Sequence, residues 1–410
     1  MSTPGPLAGV TVLDLSRALS GPYCSALLAD LGAQVIKIES AKGGDVTRLW
    51  PPFEDEHSLY FESTNRNKSS IALDLYSPDG QAILHRLVEQ ADVLLENFRP
   101  GVLPKLSLDL EQLRRERPEL VIASITGFGT TGPLREAAGL DQVAQGMAGL
   151  MSVTGPDAEH PYRFGVPIID MVSGIFTALG IAASLAGCAR TGQATAVATS
   201  LLESALALSA FHGQGYLSTG KIPTPQGNDH ASLTPYGTFR TADIPLIIAV
   251  GNERQWVQFC ALLGDPELAT DSRFVTGRLR TQHRADLKQR LEELLAARPA
   301  AAWMETIRAA GIPCGPIYTY EQAFADGQVR ALDMVQHLTR TDGSALPLLR
   351  GPLSLDGVPT AVHKVPPQLG EDTVDILTGA GLTPEQIDDL IDRGVAHTPR
   401  AHASTTGGPR

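Results

Sequence analysis

One carboxylate, Asp170, closes the short run Gly165-Val166-Pro167-Ile168-Ile169 and heads an uncharged stretch that continues through Ala189. Aspartate is a favoured helix N-cap, and the positive end of the helix dipole stabilises its charge. The same dipole and the exposed N–H groups would keep the carboxylate ionised between apolar walls, where it could attack an activated carbonyl. The residues alone therefore leave two readings open, a cap and a nucleophile. Beyond Asp170, the small residues Gly174, Ala178, Ala182 and Ala186 recur at every fourth position, a helical spacing.

The elements that must position such a group follow from the apolar pattern. Strands are expected over 10–15, 35–39, 70–75, 92–98 and 120–125. Helices alternate with them over 22–31, after Pro78, and over 108–117. That alternation predicts an α/β fold: a Rossmann-like large domain with a parallel sheet, whose ligand site lies at the carboxyl ends of the strands. A strand over 194–198 feeds a long helix over 201–217. From Lys221 the chain turns polar and rich in Pro and Gly, and strands and amphipathic helices over 246–250, 284–295 and 300–310 then predict a smaller α+β domain. The expected division is 1–220 for the large domain, 221–330 for the small one, 331–396 for a segment whose helices return to the large domain, and 397–410 for a disordered tail.

Composition excludes several functions. The chain has 410 residues, 43% hydrophobic and 19% charged, with a net charge of −12. Such a balance disfavours nucleic-acid and anionic-membrane partners. Residues 171–189 carry no charge, which approaches a membrane-spanning length, but about half are Ala, Gly or Ser, so a tightly packed internal helix is expected. Cys24, Cys188, Cys260 and Cys314 lie far apart with no metal-ligand spacing, and no signal-peptide pattern opens the chain, so a cytoplasmic protein with reduced thiols and no metal is expected. The first βα turn, Ser16-Arg17-Ala18-Leu19-Ser20-Gly21-Pro22, lacks G-x-G-x-x-G although Glu39 ends the second strand, and no G-x-x-x-x-G-K-[ST] occurs. Dinucleotide-dependent and nucleotide-hydrolysing enzymes are thereby disfavoured.

Several segments in order resemble family III CoA-transferases of the formyl-CoA transferase type. They are Leu13-Asp14-Leu15-Ser16-Arg17 with Ser20-Gly21-Pro22, Val35-Ile36-Lys37-Ile38-Glu39, Gly44-Asp45 with Arg48, Asn67 through Leu75, Glu96-Asn97-Phe98-Arg99-Pro100-Gly101, and Gly311-Ile312-Pro313-Cys314-Gly315-Pro316. The resemblance implies that Asp170 is the nucleophile, forming an acyl-aspartyl anhydride and then an aspartyl-CoA thioester while CoA moves from an acyl-CoA donor to a free carboxylic acid. It implies acyl-CoA as substrate with no tightly bound cofactor, and an interlocked homodimer. The CoA-binding pattern falls on Leu19, Ser20, Leu73, Asp74, Leu75, Tyr76, Asn97, Phe98, Arg99, Lys105 and Leu140. Asp141 resembles the acidic neighbour of the nucleophile, with a plain N-cap as the equal alternative.

The family's glycine-rich lid is matched by residues 225–235, which contain Gly227 alone. Gly227, Asn228 and His230 are then candidates for a lid and for acceptor recognition, with Arg163 or His230 as partners for a distal carboxylate of a small dicarboxylic acid. The α-methylacyl-CoA racemases share the fold but have a histidine where this chain has Leu140, and leucine moves no proton. A racemase or isomerase and a non-catalytic CoA-binding paralogue are the alternatives.

Overall fold

A computed structural model describes residues 5–399, and they divide into two compact units. Among the described residues the larger unit comprises 5–148, 165–213 and 333–399. Its centre is a seven-stranded sheet of β1 (Thr11–Asp14), β2 (Gln34–Ser40), β3 (Lys68–Leu73), β4 (Val93–Glu96), β5 (Val121–Thr126), β6 (Val197–Ser200) and β7 (Ala396–His397). The spatial order is β7-β3-β2-β1-β4-β5-β6, all parallel except β7. Strand order reverses at β1, so the crevice between the carboxyl ends of β1 and β4 is the topological switch point at which open α/β sheets take ligands. The strands are apolar on both faces because helices cover both: Leu13, Ile71, Leu94 and Ile122 join Leu84 and Leu87 in one core.

The C-terminal return is part of this core. Helices Thr373–Gly379 and Pro384–Asp392 contribute Leu377, Ile387 and Leu390. Ala396 and His397 then pair with Leu73 and Ala72, which covers an edge of the sheet. His397 is thus a strand residue and not the start of a disordered tail; residues 400–410 lie outside the described residues.

Beneath the first βα turn lies a set of buried charges. Lys37 and Lys68 are fully buried. Lys37 pairs with Asp45 at 2.9 Å and donates to the Ser16 carbonyl at 2.9 Å, while Lys68 pairs with Asp14 at 3.3 Å and donates to the Pro22 carbonyl and Asn65 Oδ1, both at 2.9 Å. Ser16 and Ser25 hydroxyls donate to the same Asp14 carboxylate. These contacts hold the turn in place although Ala18 sits at φ 65°, a left-handed conformation unusual for alanine.

Three helices of this unit flank the first turn of a fourth or lie near it in the chain's folded path: α1 (Ser20–Asp30), α2 (Leu59–Thr64) and α3 (Asp141–Met147). The fourth, α4 (Ile168–Thr191), crosses α1. At Gly174 a Cβ would stand 2.6 Å from the Ser20 carbonyl oxygen and 3.2 Å from Cys24 N, so the crossing requires glycine there. The expectation of a tightly packed internal helix is corrected. Ile169, Ser173, Gly174, Thr177, Ile181 and Ser184 are buried, but Ile175, Phe176 and Leu179 on the opposite face are exposed at 44%, 40% and 65%. By length and composition α4 is apolar enough to cross a membrane, yet its buried face is bonded into protein, Thr177 Oγ1 to Thr199 Oγ1 at 2.9 Å and Ser184 Oγ to the Thr195 carbonyl at 2.8 Å.

The smaller unit comprises Gly149–Phe164 and Gln214–Leu332. An antiparallel sheet of Tyr236–Phe239, Leu246–Ala249 and Cys314–Pro316 is backed by helices Glu253–Leu262, Arg284–Leu295 and Ala300–Ala309 around Trp256, Phe259, Leu287, Leu291 and Trp303. The stretch 149–164, placed by the sequence with the large domain, associates here, with Gly227 N–H donating to the Gly155 carbonyl at 3.1 Å. The helix expected over 201–217 is broken at Ser209 into Leu201–Leu208 and Ala210–Thr219, Ala210 having φ 42°.

Gly174→Ala is expected to destabilise the chain by about 1–3 kcal/mol, because its methyl group meets backbone on α1. Gly187→Ala on the same helix, where a Cβ meets nothing within 4 Å, is expected to be neutral or stabilising by up to about 1 kcal/mol. Chemical denaturation of the two variants beside wild type measures both.

Candidate active site

Asp170 is the third residue of α4, and the helix has Pro167, not Asp170, at its N-cap position. The cap is supplied from elsewhere. Asp141, the first residue of α3, accepts the Ile169 N–H at 2.7 Å and the Asp170 N–H at 3.2 Å on Oδ2. Its Oδ1 accepts from Gln145 Nε2 at 2.6 Å. Of the two readings of Asp170 at sequence level, the cap belongs to Asp141 instead, and the Asp170 carboxyl is left over for other work.

The electrostatics follow from this sharing. Burial, and next the Asp141 charge, push the Asp170 carboxyl up to about 7. A helix N-terminus ordinarily favours an ionised carboxylate; here Asp141 already occupies its donors. Tyr60 on α2 belongs to the same neighbourhood: burial, then Asp170, Asp141 and Asp45, raise its phenol. The Tyr60 ring meets Trp50 edge-on at 5.2 Å, and Ser58 caps α2 by accepting the Phe61 N–H at 3.3 Å. Sequence reasoning missed Tyr60 and Trp50; the only signal was their closeness in sequence to Gly44-Asp45 and Arg48.

The switch point joins two of the segments expected to bind CoA. Arg17 N–H donates to Asn97 Oδ1 and Asn97 Nδ2 donates to the Arg17 carbonyl, both at 2.8 Å, and the Arg17 guanidinium lies 4.8 Å from the Phe98 ring centre. Leu19 and Ser20 are buried at the start of α1. Leu73 and Leu75 are core residues, so Asp74 and Tyr76 are the accessible members of that stretch. Asp74 Oδ1 accepts the Tyr76 N–H at 3.1 Å, and Lys42 lies 3.5 Å from Asp74 Oδ2. Arg99, Lys105 and Leu140 are exposed. Glu39, the residue that would meet a ribose in a dinucleotide-binding fold, is instead held by Arg48 through two 2.7 Å bonds and by Ser70 at 2.7 Å.

In the smaller unit the segment Gly227-Asn228-Asp229-His230 is braced. Lys288 holds Asp229 at 2.9 and 3.0 Å, and Arg284 donates to Gln226 Oε1 at 2.7 Å and the His230 carbonyl at 2.8 Å. His230 Nδ1 accepts the Ser232 and Leu233 N–H groups, each at 3.1 Å, which places the proton of the neutral ring on Nε2. Its ring stacks on Tyr236 at 4.9 Å. Arg163 donates to the Phe164 carbonyl at 3.2 Å. Among the described residues no group of His, Cys, Asp and Glu could hold a metal.

The family profile described as CoA-transferase family III matches residues 7–373. The chain belongs to this family. Among relatives, the transferase is 38% identical over 379 residues to the succinate–glutarate CoA-transferase of Agrobacterium fabrum, covering 91% of this chain and 95% of that one. It is 39% identical over 344 residues to the acetyl-CoA:oxalate CoA-transferase of Acetobacter aceti, covering 84% and 88%. Among solved structures, the CaiB/BaiF family protein from Brucella suis superposes with a TM-score of 0.82 at 37% identity, covering 92% of the transferase and all of that chain.

Asp170 makes stability of the transferase depend on pH. Between the ordinary aspartate value of 3.8 and about 7, the folded chain holds a proton that the unfolded chain has released, so stability falls as pH rises through this window. Asp170→Asn escapes this loss. The variant is expected to be more stable than wild type at pH 8 by roughly 1–3 kcal/mol, the gain vanishing toward pH 4, as read by thermal unfolding across pH.

Proposed function

We propose that the transferase moves CoA from a short acyl-CoA to a small dicarboxylic acid through covalent intermediates on Asp170. The observation that carries this reading is a partly buried carboxyl, placed at a helix N-terminus whose donors another carboxylate has taken and shifted to about 7. Such a carboxyl is about half ionised at neutral pH, and its ionised form, less stabilised than a carboxylate in water, is a better nucleophile.

In the first step Asp170 attacks the thioester carbonyl, the C–S bond breaks, and an acyl-aspartyl anhydride and CoA thiolate form. The thiolate then attacks the aspartyl carbonyl of the anhydride, giving the aspartyl-CoA thioester and releasing the donor acid as carboxylate. The acceptor carboxylate attacks this thioester, forming a new anhydride and freeing the thiolate. Attack of the thiolate on the acceptor carbonyl yields the new acyl-CoA and restores Asp170. No proton is gained or lost across the cycle. Leu140, apolar and exposed, offers no base for α-proton removal, so racemisation by a base at this position gains no support.

The crevice beside Arg17, Asn97 and Phe98 would take CoA, with Phe98 packing on the nucleotide or pantetheine and Arg99 and Lys105 facing phosphates. The relatives named for succinate and glutarate and for oxalate support a small acid as acceptor. The exposed apolar residues Leu140, Val143, Met147, Ile175, Phe176 and Leu179 support a homodimer that covers the open face of α4.

Mass spectrometry of protein mixed with succinyl-CoA and quenched with hydroxylamine or borohydride is expected to show a mass change on the peptide carrying Asp170. Transfer to glutarate is expected to fall by about a thousandfold or more in Asp170→Ala. In wild type kcat/KM is expected to rise through a midpoint near 7 as Asp170 ionises. A modification on another residue, or transfer retained in Asp170→Ala, would overturn the reading. For the assembly, light scattering is expected to give twice the mass of one chain, and Ile175→Glu combined with Leu179→Glu to give the single-chain mass.

A further inference from the structure

The nucleophile's acidity depends on where the Asp141 charge sits, and a neighbour fixes that position. Residues 141 and 145 share one face of α3, one turn apart. Both are buried, Asp141 8% exposed and Gln145 2%. The Gln145 amide donates to Oδ1 of Asp141 at 2.6 Å, while Oδ2 of Asp141 takes the Ile169 and Asp170 N–H groups at 2.7 and 3.2 Å. With both oxygens engaged, the carboxylate plane cannot turn without breaking a buried hydrogen bond.

We propose that Gln145 is a positioning residue of this active site: by holding Oδ1 of Asp141 it keeps Oδ2 on the N-terminus of α4 and so maintains a second negative charge beside Asp170. The inference rests on the reading of Asp170 as nucleophile. Without the amide, Asp141 is free to leave the helix N-terminus, whose donors then stabilise an ionised Asp170. That lowers the proton affinity of Asp170. Tyr60 from α2 and Asp45 from the loop after β2 are further titratable groups of this neighbourhood.

The test is a titration of the resting enzyme labelled with 13C at aspartate carboxyl groups, with Asp170→Asn identifying the Asp170 signal. Gln145→Leu is expected to lower the Asp170 midpoint by about one pH unit, and to leave it unmoved when added to Asp141→Asn. The rising limb of kcat/KM is expected to shift by the same amount, with KM for succinyl-CoA unchanged. Gln145→Met, close in shape and without the amide, is expected to lower the midpoint likewise, which keeps the test decisive if the leucine variant fails to fold. A midpoint unmoved by the change at Gln145, while Asp141→Asn lowers it, would overturn the proposal. Because the titration needs no turnover, it still reports on Gln145 if Asp170 proves to carry no acyl group.

Discussion

Two carboxyl groups compete for one helix N-terminus. Asp141 reaches the N–H groups of Ile169 and Asp170 from a different helix, and Asp170, although it lies in the first turn of α4, is denied them. A carboxylate bonded to several backbone N–H groups is a stable, weakly basic ion. One that is buried, next to a like charge and without those donors retains its basicity, which the proposed acyl transfer to Asp170 would require. The cap and the shifted carboxyl are thereby divided between two aspartates, each set by where its partner sits.

That division holds only if α4 stays in register with the rest of the unit. Gly174 lets α4 approach the backbone of α1 near Ser20 and Cys24, and α1 begins directly after the turn that β1 feeds. The turn in turn rests on Lys37 and Lys68, which are buried with Asp45 and Asp14 as counter-ions and with carbonyl oxygens and Asn65 as further acceptors. Breaking a buried pair by removing one partner is costly, commonly about 3–5 kcal/mol. These charges therefore give geometric definition to the crevice wall more than they add net stability. Arg17 and Asn97 close the same wall from β4 by exchanging two hydrogen bonds across the switch point.

The parallel sheet is legible in the sequence because its strands are continuous apolar runs bounded by Pro and Gly, and the helix at Asp170 because its small residues keep helical spacing. Other features have no local signal. The association of 149–164 with the smaller unit depends on contacts such as Gly227 with Gly155, which no periodicity encodes. The break at Ser209 falls inside a run of good helix formers. A charge-free run suggests burial on all sides, so the sequence points to an internal helix at Asp170, whereas Phe176 and Leu179 lie open on one face. Asp141 as cap for a helix 28 residues further along, and Tyr60 beside Trp50, are tertiary facts, visible only once the chain has folded.

Acyl transfer to a carboxylate rather than to water requires that the acceptor be recognised and the thioester shielded. The segment Gly227-Asn228-Asp229-His230 matches a glycine-rich loop in position, which suggests a mobile lid. Its bracing by Arg284 and Lys288 and the two bonds to His230 Nδ1 instead hold the segment in one conformation, and a single glycine leaves it few others. In the proposed transfer a segment fixed in this way would favour recognition over gating, since it loses little freedom when it meets a ligand.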